Sequence, residues 1–256
     1  MTDVSPPHRT ATIVLAAGRG RRLLPAHDGP KWLAPLGDGR VIADVHRDGI
    51  RQSPLLSSGP VLVVTGHDSA SIERYVTDPR FRILVNHQHS ERDNWYSLLL
   101  ALDHVEGTGW DGPVLVLNSD LVLPPEWLGD LAASLDDPVS PAQLVVDTER
   151  DLTHEAMKVG LDAHGTVVAL GKTGVTRPVG EYIGLAGLPR QAWHVLLQVL
   201  RDLARGPFDG WYEEAMIHAV DRGLTLVGSP APSSRTTRPP AGAASTAAGR
   251  HRRGRP

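Results

Sequence analysis

The feature that most constrains the fold is a set of short apolar runs that do not alternate. Thr12–Ala17 (TIVLAA), Val61–Thr65 (VLVVT), Arg82–Val85 (RILV) and Val114–Leu117 (VLVL) are nearly continuous and rich in β-branched residues. A strand with one wet face alternates apolar and polar residues, whereas a continuous run suits a strand covered on both faces of a parallel sheet. Helix-like stretches lie between the runs, at Ala43–Gln52, Ser69–Val76 and Asn94–His104. This alternation predicts an α/β, doubly wound domain with a mostly parallel sheet and helices on both faces. A second group of strands is expected at Leu144–Asp147, Lys158–Leu161 and Val167–Leu170, with Gly165 in the last turn, followed by amphipathic helices at Gln191–Arg205 and Glu213–Asp221. There is no internal repeat.

Charge divides the chain unevenly. The 256 residues carry 26 Lys and Arg against 29 Asp and Glu, a net charge of −3. Residues 229–256 hold six arginines and no acid, which leaves 20 basic against all 29 acidic groups in residues 1–228, a net −9. An acidic body argues against a nucleic-acid partner that would bind across the whole surface. No residue bulkier than proline follows Val227 except charged and polar ones. Such a tail cannot offset the entropy of ordering, so residues 229–256 are expected to be disordered, residues 1–10 flexible, and residues 11–228 folded. With no cysteine in the chain, disulfides, thiolate metal sites and cysteine nucleophiles are excluded. The polar start reads as no signal peptide and no run reaches membrane-spanning length, so the expectation is a cytoplasmic protein without a membrane partner.

The sharpest local signal directly follows the first run: Leu15-Ala16-Ala17-Gly18-Arg19-Gly20-Arg21-Arg22-Leu23. Glycines at a strand-to-helix turn let backbone N–H groups face a phosphate. The segment lacks the third glycine of a dinucleotide fingerprint and the GK[ST] of a P-loop. Three arginines and Lys31 make it a cationic cluster in an acidic body. Taken by spacing alone, a glycine-rich connector with solvated arginines is an equal reading.

In combination with Pro30-Lys31-Trp32-Leu33-Ala34-Pro35-Leu36, the LAAGxGxRL segment resembles the signature of the sugar-phosphate and alcohol-phosphate nucleotidyltransferases. The resemblance continues through Gly66-His67, Asn86, Asn94-Trp95-Tyr96-Ser97-Leu98, Asn118-Ser119-Asp120, His154 to Val159, Gly171-Lys172, Gly180 to Gly184 and Trp211 to Ala215. It implies a glycosyltransferase-A-type fold that joins an NTP to a phosphate ester with loss of pyrophosphate. The Asn94–Leu98 segment is most similar to bacterial CTP:phosphocholine cytidylyltransferases. By resemblance, Leu15, Ala16, Ala17, Gly18, Gly20, Arg22, Lys31, Gly66 and Asp120 would bind the nucleotide, with Arg22, Lys31 and Lys158 in catalytic roles. Asp120 would hold Mg²⁺, a hard ion that accepts one or two carboxylates and keeps several waters. A phosphate nucleophile is already ionised at pH 7, so such a site needs cations more than a base.

The acceptor end is expected around Asn94, Tyr96, Glu181, Tyr182 and Tyr212, with Trp211, Glu213 and Glu214 nearby. Aromatics with carboxylates would suit a quaternary ammonium; with His67 or Lys172 they would suit an anion instead. Phosphocholine, inositol phosphate and phosphonates all stay open as acceptors, and a homodimer stays open. One departure concerns Arg21, where relatives carry a small residue. A second is the end of the chain, where relatives have an acidic metal-binding segment and this chain has none, so the second metal carboxylate is either missing or supplied by Glu213 or Glu214. Codons for Ser234-Arg235-Thr236-Thr237 shifted by two bases can read Glu-Asp-Asp, and a base lost or gained in the gene would account for the change. The first reading is therefore a Mg²⁺-dependent cytidylyltransferase. The alternatives are a sugar-1-phosphate or molybdenum-cofactor-type nucleotidyltransferase using another NTP, and a nucleotide-binding protein without turnover.

Overall fold

Among the described residues the unbroken apolar runs form four neighbouring strands at one side of a nine-stranded sheet, and the Arg82–Val85 run, expected to be covered on both faces, is its edge strand and only partly buried. A computed structural model describes residues 9–18, 20, 27–137 and 139–231. All residues of β1 (Ala11–Ala16) and β2 (Val61–Thr65) are buried, as are the first four of β4 (Val114–Asn118). The remaining strands are β3 (Phe81–Val85), β5 (Ala142–Asp147), β6 (Lys158–Leu161), β7 (Val167–Gly171), β8 (Gly180–Leu188) and β9 (Leu226–Pro230). Their order is β3-β2-β1-β4-β8-β5-β9, and the β6–β7 hairpin joins the start of β8 through Lys158 opposite Glu181.

Strands β3, β2, β1 and β4 are mutually parallel, and β9 is parallel to β5. Strand β8 runs against both β4 and β5. The result is a mixed sheet, mostly parallel in its first half, with a Rossmann-like frame. From β1 the chain moves outward to β2 and β3, then returns across to β4 on the other side of β1. That reversal opens a crevice beyond the carboxyl ends of β1 and β4, the place where open α/β sheets bind ligands.

Helices cover both faces because the strands are apolar on both. One core gathers α4 (Asn94–Gly107), α6 (Arg190–Leu203) and α7 (Tyr212–Asp221) onto Ile13, Leu15, Leu62, Val64 and Val116. The other packs α1 (Ile42–Gln52), α2 (Pro54–Ser57) and α5 (Glu126–Ser134) onto Val14, Ala16, Val63, Leu115 and Leu117. A short helix, α3 (Ser69–Tyr75), adds Ile72 to the second core. Alternate residues of one strand thus serve opposite cores, as the pleat requires.

The structure departs from the sequence reading at β8 and α5. Glycines at 180, 184 and 187 dilute the apolar run of β8, and α5 follows Pro124-Pro125, which punctuates like a turn. The last strand continues to Pro230, and the chain from 232 to 256 lies outside the described residues, as does the expected flexible start at 1–8. Among the described residues no helix is long and apolar enough to cross a membrane.

Leu98 in α4 is fully buried in the first core, whereas Val168 on β7 is 59% exposed. Leu98→Ala is expected to cost about 2–5 kcal/mol in chemical denaturation and Val168→Ala less than about 0.5 kcal/mol.

Candidate active site

The crevice at the ends of β1 and β4 is a cleft of about 680 Å³. On its floor, Lys31 Nζ lies 3.2 Å from Asp120 Oδ2, with both side chains about a quarter exposed, at 27% and 23%. Asp120 comes from the turn that ends β4, and Lys31 from a single 3-10 turn, Lys31–Leu33, that follows the glycine-rich loop. Gly20 sits at φ +66°, and a Cβ there would lie 2.6 Å from Lys31 Cγ. The glycine lets the lysine stem cross the loop and adopts a backbone conformation that other residues avoid. The loops are tied to the sheet by main-chain bonds: His67 N–H donates to the Ala17 carbonyl (3.1 Å) and Ser119 N–H to that of Leu15 (3.3 Å).

Leu15, Ala17, Gly18, Gly20, Lys31 and Asp120 all line this cleft. Ala16 does not, because the pleat turns its side chain into the opposite core. Gly66 stands behind the wall: a Cβ there would lie 2.6 Å from the His89 side chain, and it is His67 and His89 that line the cleft. Arg22, with Arg19 and Arg21, lies outside the described residues. Lys158 does not reach the cleft. Its ammonium donates to the Lys172 carbonyl at 2.7 Å and more weakly to that of Ala156 at 3.4 Å, so it joins β6 to the end of β7. The lysine that lines the cleft from this hairpin is Lys172.

At the acceptor end, Asn94, Glu181, Tyr182 and Glu213 line the cleft, while Tyr96, Tyr212 and Glu214 do not. Tyr212 is fully buried. Its hydroxyl pairs with that of Tyr182 (2.9 Å) and donates to Asn118 Oδ1 (3.2 Å), and its N–H donates to Asn94 Oδ1 (3.0 Å). Burial pushes both tyrosine hydroxyls well above their ordinary pKa, so they serve as neutral struts between α7, α4 and the sheet. Three of the aromatic rings here already stand against protein cations. Lys172 Nζ stands 4.2 Å above Trp211, and the Arg92 guanidinium lies 5.2 Å from the Tyr96 ring and 5.4 Å from that of Trp95. Lys172 also pairs with Glu155 at 3.1 Å. His89, Ser90 and Arg92, from the loop after β3, line the cleft without having been singled out from sequence, since that loop has no glycine or regular spacing to mark it.

The model of the MobA-like NTP transferase domain matches residues 12–209. The chain belongs to this family. No curated protein matches the chain in sequence. Solved structures share the fold of this MobA-like transferase at low identity. The CTP:phosphocholine cytidylyltransferase of Streptococcus pneumoniae superposes with a TM-score of 0.67 at 14% identity, over 88% of this chain and 91% of that one. The inositol-1-phosphate CTP transferase of T. maritima gives 0.65 at 18%, over 88% and 86%. A nucleoside-diphosphate-sugar pyrophosphorylase of Vibrio cholerae gives 0.65 at 16%, over 86% and 91%.

For a MobA-like NTP transferase the metal question turns on carboxylates. Among the described residues no three His, Cys, Asp or Glu side chains stand close enough to hold an ion together. Asp120 supplies one hard oxygen donor on the cleft floor, which fits Mg²⁺ when the nucleotide phosphates and water supply the rest. Glu214 lies outside the lining. Glu213 is only 4% exposed and its Oε2 has no hydrogen-bond partner. Burial, opposed by hydrogen bonds from its own N–H and the Asn94 amide, pushes the Glu213 carboxyl up to about 7. An acid whose folded pKa is raised stabilises the fold fully below its unfolded value and loses that contribution as pH rises through the folded one. Glu213 should therefore stabilise the fold near pH 4.5 by about 3 kcal/mol relative to pH 8. Chemical denaturation of the wild type and Glu213→Gln at pH 5 and pH 8 checks this, the variant gaining stability relative to the wild type at the higher pH.

Proposed function

We propose that this nucleotidyltransferase is a Mg²⁺-dependent cytidylyltransferase that moves CMP from CTP to a small phosphate or phosphonate. The observation that carries the transfer chemistry is the Lys31–Asp120 pair on the cleft floor, at the topological reversal of the sheet. An acceptor oxygen attacks the α-phosphorus, the new P–O bond forms as the bond to the β-phosphate oxygen breaks, and pyrophosphate leaves with the electron pair. Both partners are anions, so Lys31 lowers the cost of their approach and of the charge that develops. Mg²⁺ held by Asp120 would supply further neutralisation of the phosphate charge. The carbonyls of Leu15 and Ala17 are engaged in holding the loops, and the backbone of Ala17 and Gly18 is left as the wall against which a base would lie. Cytosine, which is small and read well by backbone groups, suits such a wall, and the similarity of Asn94–Leu98 to phosphocholine cytidylyltransferases supports CTP over the other NTPs.

The expected result is pyrophosphate release with CTP and at least one of phosphocholine, inositol phosphate and aminoethylphosphonate, and little with ATP, GTP or UTP. Release only with another NTP and a sugar-1-phosphate would replace this reading. Asp120→Asn and Lys31→Ala should each lower kcat about 100-fold or more, while melting temperature changes little because both side chains are partly exposed.

A further inference from the structure

One fully buried histidine stands behind the catalytic pair and takes no direct part in it. His46, in α1, is 0% exposed and lies between the two loops that form the cleft floor. Its Nδ1 accepts the indole N–H of Trp32 at 2.9 Å, and its Nε2 lies 2.6 Å from the Leu121 carbonyl oxygen. Trp32 is the residue after Lys31, and Leu121 is the residue after Asp120. The two loops are far apart in sequence, and this imidazole bonds to both.

The hydrogen bonds assign the protons. The indole can only donate and the carbonyl can only accept, so the ring is neutral with its proton on Nε2. Burial pushes the imidazole down to about 4, against smaller opposing effects of the Leu121 carbonyl and the Asp120 charge. Protonation would place a second donor against the indole N–H, so the neutral form is the one that fits. The turn carrying Asp120 is otherwise closed by Leu121 N–H on the Asn118 carbonyl, a 3.3 Å contact. Lys31 sits in a turn of three residues whose bonds are local: Leu33 N–H to the Pro30 carbonyl and Ala34 N–H to that of Lys31. Besides the Lys31–Asp120 pair itself and the shared packing of Trp32 and Leu121 in the second core, the two loops are joined through this imidazole.

We propose that His46 is a positioning residue that sets the separation of Lys31 and Asp120 by clamping Trp32 and Leu121 to one rigid ring. Its place in catalysis rests on the proposed roles of that pair. A misplacement of about 1 Å at a reacting centre costs on the order of 100-fold in rate. A loss on this scale, confined to turnover, separates a positioning role from a packing role.

The experiment uses the full chain with His46→Leu, His46→Gln and Trp32→Phe. In His46→Leu, kcat should fall about 30- to 100-fold while KM for the nucleotide moves less than about threefold. Glutamine presents an acceptor and a donor about as far apart as the two ring nitrogens, so His46→Gln should recover most of the loss. Trp32→Phe deletes one donor and leaves the ring, so it should lower kcat in the same sense, and the Trp32→Phe/His46→Leu double variant should lose less than the product of the two. Unchanged kcat in His46→Leu, or a loss that glutamine does not recover, overturns the proposal. If His46→Leu does not fold, Trp32→Phe carries the kcat test, and unchanged kcat there overturns it. If the wild type releases no pyrophosphate with any substrate pair, the proposed function fails instead. The clamp is then judged on crystal structures of the wild type and the folded variants: a Lys31–Asp120 separation that stays at its wild-type value in them overturns it.

Discussion

The cleft depends on β1 being paired on both sides by parallel strands. Its register with β2 on one edge and β4 on the other satisfies every lateral backbone group, so the strand stays fixed while the chain leaves its carboxyl end in a loop. Because the path turns outward after β1 and returns to β4 on the far side, the carboxyl ends of these two neighbouring strands lie side by side at the crevice. What results is a cavity with a rigid back wall and walls made of loops. The lining side chains come from the strand ends, from the turn that carries Lys31, from the loop after β3 and from the start of α7.

Electrostatics inside the cleft follow from this geometry. The body is acidic, yet the floor keeps a lysine beside an aspartate, and the far end sets Arg92 and Lys172 among carboxyls. Glu213 is the sharpest conflict. A carboxyl buried in the cleft wall with one oxygen unpartnered opposes folding when ionised, and burying such a group without a partner costs on the order of 1–3 kcal/mol. The fold tolerates it because the tyrosine pair and Asn94 make a buried hydrogen-bonded frame around it.

Much of the fold was legible because parallel strands leave a distinctive trace, an apolar run with no alternation. The runs at Val61 and Val114 match the observed strands to within a residue. Strand β8 left no such trace: its glycines make room for neighbouring side chains, and that need is visible only after β4 and α5 are in place. At the site, position in a motif located Lys31, Asp120, Gly20 and Glu181 on the cleft. Motif position did not bring Lys158 or Tyr212 to the cleft lining: their polar ends turn to main-chain carbonyls in the one case and to Tyr182 and Asn118 in the other. No motif marks His46. A histidine in the middle of an amphipathic helix reads as ordinary until the two loops it touches are known to lie side by side.

The ammonium of Lys172 over the Trp211 ring carries a consequence for what can enter. An aromatic face that is open draws a passing cation for its own sake. A face already holding the protein's ammonium or guanidinium draws one only by exchange, so the incoming group must outbid a tethered competitor whose effective concentration is set by its own backbone. A ring held under Lys172 in this way offers less to an incoming cation than an open ring would, while the lysine itself presents positive charge to the cleft.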